Sequence, residues 1–143
     1  MKDNKKSRID IYETPYELYL VIANKYTTLE ELQEIFTYPD GSELTHTGLT
    51  EDKNGYKYQA VTAQVKRKSD KRHFLLIWQT GSNSAKVEDR LLDLINLAAH
   101  EACHVMLDIH YAIGESVSLD NQEQFAYQQA YITTLILKNW MNK

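Results

Sequence analysis

The sequence predicts an α+β fold, a small sheet built from the first half of the chain followed by long helices. Three observations carry that expectation. Residues 17–23 and 74–78 are short, branched and aromatic runs of strand type. Residues 87–109 carry Val87, Leu91, Leu94, Ile95, Ala98, Ala102, Val105 and Ile109 at helical spacing. A second helical pattern, Phe125, Ala126, Ala130, Thr133, Leu137 and Trp140 or Met141, closes the chain. With 143 residues the chain is expected to form one domain, 1–143, large enough to bury a real core.

Taken in order, residues 1–7 are polar and basic and are expected to fray, and Ile9 and Ile11 alternate with polar neighbours as in a short edge strand. A strand over 16–23 follows. Thr28 and Glu31 form a capping box that opens an early helix running to about Phe36. Tyr38-Pro39-Asp40-Gly41 ends it, and residues 38–55 read as loop. Strands over 56–66, with one phase slip, and 73–79 form a hairpin, completing a sheet of three to four strands. Ser82-Asn83-Ser84 signals the start of the central helix and Gly114 its end, and Asp120 is the expected cap of the C-terminal helix.

The composition excludes several classes. At 43% hydrophobic and 25% charged, with five Gly and two Pro, the chain is not of the disordered type. No run approaches the ~20 apolar residues that cross a bilayer, and the basic start leads into no apolar signal core, so no membrane association and a cytoplasmic location are expected. The formal net charge of −4 offers no general attraction to phosphate backbones, and nucleic acid is not an expected partner. The local exception is Lys66-Arg67-Lys68 with Lys71-Arg72, read as a solvated hairpin tip or, alternatively, a nucleic-acid patch. The single cysteine, Cys103, cannot form an internal disulfide and reads as a small buried residue.

Chemistry concentrates in the central helix, at His100-Glu101-Ala102-Cys103-His104. Two histidines four residues apart project from one helical face, so both can reach one ion, and neutral imidazoles suit Zn2+. Glu101, about 100° around the helix from His100, is placed as proton acceptor from a water whose pKa bound zinc lowers to about 7. Small Ala98, Ala99 and Ala102 surround the motif.

On this HExxH motif the chain resembles the zincin metallopeptidases over about residues 56–143. The resemblance implies a zinc hydrolase acting on a peptide or protein, a sheet before the signature helix, and a further ligand after it. It also implies that the strand bordering the cleft, here residues 74–78, pairs with an extended substrate. In the gluzincin branch that ligand is a Glu on the next helix, and here Glu123 stands nineteen residues after His104. The spacing of Glu123, Ala126 and Ala130 is distantly similar to the corresponding helix of ImmA/IrrE-type zincins of phages and mobile elements. This chain has Tyr127 where that family often has Asn, and lacks the acidic residue four positions after Glu123 seen in thermolysin-like members.

Alternatives stay open at several positions. Glu123 is either the third metal ligand or the reaching-back member of a capping box with Asp120. His110 is spaced as a metzincin third ligand, but Leu107 stands where that pattern needs Gly, and the other reading is a helix-end histidine facing the dipole. Tyr127 is a candidate catalytic donor to a developing oxyanion, or packing. Asp108 could accept the other N–H of a bound imidazole. For the whole chain, the alternative to a zinc peptidase is a catalytically inactive zincin-fold module with a binding or regulatory role.

Overall fold

A computed structural model describes residues 5–13, 19–51, 54, 58–80 and 90–143. Two compact units are distinguished, Met1–Ser82 with Asn139–Lys143, and Asn83–Lys138. The first is a mixed five-stranded sheet with two short helices, and the second is helical.

In the first unit the elements are β1 (Ile9–Glu13), β2 (Tyr19–Ala23), α1 (Leu29–Ile35), β3 (Phe36–Thr37), α2 (His46–Thr50), β4 (Ala60–Arg67) and β5 (His73–Gln79). Their order in the sheet is β1-β2-β5-β4-β3. The β2–β5 pair is parallel, and the other three pairings are antiparallel. β5 therefore lies in the middle, and Phe74 through Gln79 are all buried. A continuous apolar run is what a strand covered on both faces requires. One face contributes Val21, Ala23, Val65, Phe74, Leu76 and Trp78 to a core closed by Leu32, Phe36, Leu44 and Leu49.

This placement corrects the expectation that residues 74–78 receive a substrate strand. Phe74 through Trp78 pair with Tyr19–Ala23 on one side and with residues 61–65 on the other, so both edges of β5 are already occupied. Strand addition needs an unpaired edge.

Three local expectations also shift. Phe36 leaves the helix for extended backbone (φ −128°, ψ 157°) and pairs with Arg67, its ring edge-on to Phe74 at 5.6 Å. Burial of one aromatic ring outweighs another residue of helix. Within the expected 38–55 loop, Thr45 accepts a bond from the Gly48 amide and caps α2, anchored by buried Leu49. The first hairpin strand is described from Ala60; Tyr56 lies outside the described residues. With β1 and the two-residue β3 included, the sheet has five strands where three to four were expected. The Thr28–Glu31 capping box is present as expected, its bonds holding the Glu31 carboxyl below its usual range.

The chain's end is locked to β2. Trp140 Nε1 donates to the Ala23 carbonyl at 3.1 Å, and the Asn139 amide donates to the carbonyls of Ile22 and Arg8 and to Asp10 Oδ2.

The second unit holds α3 (Arg90–Ala112) and α4 (Gln122–Trp140), the last two residues of α4 belonging with the sheet. The start signal at 82–84 lies outside the described residues. α3 ends as expected at Gly114, whose φ of +70° is the left-handed conformation glycine adopts most easily. Glu115 N–H bonds to the His110 carbonyl at 2.9 Å and Gly114 N–H to Tyr111 at 3.1 Å, a Schellman closure. α4 opens differently from expectation: the Asn121 carbonyl accepts from Phe125 N–H, making Asn121 the cap rather than Asp120. Its side chain reaches back to Ser118 N–H and across to Glu115 and Ser116. Among the described residues no helix is long and apolar enough to cross a membrane.

Candidate metal centre

α3 is two-sided. Ala98, Glu101, Ala102, Val105, Met106 and His110 are buried, following helical spacing, while His100 and His104 face solvent. The four-residue step brings the two imidazoles together: His100 Nε2 and His104 Nε2 stand 3.2 Å apart, with ring planes at 76°. Two nitrogens each ~2.0–2.1 Å from a tetrahedral zinc are separated by about 3.3 Å. The pair therefore has the bite of a zinc chelate, and its donors are of the type zinc selects.

Glu101 sits a quarter-turn from His100, at the border of the buried stripe, and is only 4% exposed. A carboxylate this enclosed requires polar company, and Glu101 is not left without a partner.

The remaining sequence candidates are dispersed. Glu123 lies in the first turn of α4, exposed. Among the described residues it makes no capping-box bond, since the Asp120 amide donates to Ser118 Oγ instead. It also does not join the histidines, because no group of three His, Cys, Asp or Glu side chains is close enough to hold one ion among the described residues. Tyr127, one turn further on, is 73% exposed, and among the described residues no ring contact or hydrogen bond links it to the pair. Asp108 likewise forms no bond to either imidazole among the described residues. Cys103 is half-buried.

His110 lies about 80° around the helix from His100 and about 120° from His104, and faces inward. It is buried, its ring 5.2 Å from that of Phe125, and neither ring nitrogen has a hydrogen-bond partner. The signal was in the sequence: position 110 continues the stripe through Ala98, Ala102 and Met106. What sequence reasoning missed is that the histidine face is also apolar. Leu107 is 52% exposed and Tyr111 89%, and at 100° per residue both lie within about 20° of His100.

The two arginines of the basic hairpin tip are engaged in ion pairs. Arg67 pairs with Asp70 and Glu13 and lies over the Phe74 ring, and Arg72 pairs with Asp70 and donates to the Tyr19 hydroxyl. The Arg67 guanidinium holds the Asp70 carboxyl down to about 2. Both arginines are thus engaged within the sheet unit.

No protein-family model, no curated protein and no solved structure matches this chain.

Proposed function

We propose that the protein is a zinc-dependent metallopeptidase of zincin type, with His100 and His104 as metal ligands and Glu101 as general base. The observation that carries this reading is the 3.2 Å separation of the Nε2 atoms of two exposed histidines, with the buried Glu101 between them in sequence. Zinc, when bound, supplies a Lewis acid and brings the pKa of a coordinated water to about 7. Glu101 then accepts a proton from the attacking water and returns it to the leaving amine, which needs no covalent intermediate. Its burial keeps it out of bulk water, and away from water a carboxylate is a stronger electrostatic partner. Glu123 is the proposed third ligand and Tyr127 the proposed oxyanion donor. Both require α4 to bring its exposed face to the pair, a closure of the kind that ligand binding drives in many enzymes.

The decisive experiment pairs metal analysis with hydrolysis of a peptide library by wild type and Glu101→Gln. Zinc retained by both proteins, with cleavage lost only in Glu101→Gln, is the expected result. Equal cleavage by both eliminates Glu101 as base.

A second reading, an inactive zincin-fold binding or regulatory module with phage or mobile-element associations, draws support from the dispersed ligands: among the described residues only two metal donors stand together. Zinc binding without cleavage of any library peptide would favour it.

A further inference from the structure

We propose that the His100–His104 face of α3 docks a second copy of this chain, the two histidine pairs sharing one zinc ion, and that this dimer is the resting form of the protein. The inference rests on the zinc-binding part of the proposed function and adds a partner and a mode of regulation to it.

Coordination chemistry gives the first argument. Zinc in closed sites takes four protein donors in a tetrahedron. The pair supplies two at the right separation, and among the described residues no third His, Cys, Asp or Glu stands with them. A second identical pair completes the tetrahedron, and a two-fold axis through the ion makes the arrangement closed and self-complementary.

Surface chemistry gives the second. The face that carries the histidines also exposes Leu107 (52%) and Tyr111 (89%). Together these present roughly 300 Å² of exposed side chain, the phenol included, at the lower end of the patch sizes that usually have a function. A stable interface needs about 800 Å² per partner. The patch alone is too small to hold two copies together, so the dimer depends on the shared ion.

Register gives the third. An antiparallel crossing about the midpoint of the histidine pair sets His100 opposite His104, Leu107 opposite Leu97 and Tyr111 opposite Asp93. Asp93 is exposed in the first turn of α3. Apolar thus meets apolar, and a phenol meets a carboxylate it can donate to.

The consequence for activity follows from the filled coordination sphere. Four imidazoles leave no open position for water or substrate, so the dimer is latent and dissociation opens the site.

The test is sedimentation velocity and metal analysis on the untagged full chain, stripped of metal and titrated with zinc. The expected mass doubles as zinc rises to one ion per two chains, then falls back in excess zinc as each pair takes its own ion. Tyr111→Asp sets two carboxylates against each other and is expected to remain monomeric while still binding one zinc per chain. Adding Asp93→Lys to that variant is expected to restore the dimer, and no restoration overturns the antiparallel pairing. A wild type that stays monomeric with one zinc per chain overturns the dimer and leaves the zinc reading standing. A dimer that survives chelation overturns the shared ion, and a wild type that binds no zinc removes both proposals.

Discussion

Asp70 grips Arg67 at two points, Arg67 Nε to Oδ1 at 3.0 Å and Nη2 to Oδ2 at 2.5 Å, and so ties the turn between β4 and β5 into a closed loop of charge. The same carboxylate accepts from the Arg72 backbone amide and pairs with its guanidinium. A fork between guanidinium and carboxylate is the strongest geometry an exposed ion pair can take.

A pH dependence follows, with its sign set by the direction of the shift. The folded-state pKa of Asp70 is about 2, below the ordinary aspartate value near 3.9. Its stabilisation is therefore fully present above about pH 5 and is lost as pH falls from about 4 through 2. Asp70→Asn should lower the melting temperature modestly at neutral pH, and the difference from wild type should shrink toward zero near pH 2. A difference that is constant across that range would mean the charge is not the source. Thermal melts at a series of pH values make the comparison.

Metal content should separate the two kinds of histidine in α3. Removal of His100 or His104 is expected to abolish zinc binding, because each provides one arm of the 3.2 Å bite. His110→Ala should bind zinc as wild type does, since that ring faces Phe125 inside the protein. Its effect should appear in stability instead, a loss of about 1–3 kcal/mol from the lost ring contact and the cavity. Mass spectrometry of proteins purified without added zinc, together with urea unfolding, reads both quantities. Zinc lost with His110 would reassign the third ligand.

Asn139 should be among the positions most sensitive to substitution. Its amide donates at 3.0 Å to the Ile22 carbonyl and also to Arg8 and Asp10, and the residue is fully buried. Asn139→Ala leaves a main-chain acceptor of β2 without its side-chain donor, and a cost of about 2–3 kcal/mol is expected. Asn139→Asp should be worse, because a carboxylate in that place faces three acceptors and has nothing to donate. A shift in the urea midpoint of the alanine variant below the resolution of the measurement would show that water replaces the lost bonds.

Local chemistry was legible from the residues alone. The Thr28–Glu31 capping box, the Gly114 helix stop and the shared face of His100 and His104 each depend on atoms within about five positions along the chain, where bond geometry leaves little choice. The cap of α4 is a near miss of the same kind. Asp120 and Asn121 are equally good cap residues, and the bonds of Asn121 to Ser118, Glu115 and Ser116 decided between them.

By itself, then, the sequence determined the α+β class, most element positions, and the placing of His100 and His104 on one helical face. The tertiary structure alone decided that β5 lies between β2 and β4 and so has no edge to offer, and that Phe36 serves the core instead of α1. It also decided that Glu101 and His110 turn inward while Leu107 and Tyr111 stay in solvent. The physical reason is the range of the interactions. Caps and helical faces are set by neighbours along the chain, whereas strand order and the choice of which face is covered come from pairings between distant residues, such as Ile22 with Ile77 and Asn139 with Ile22.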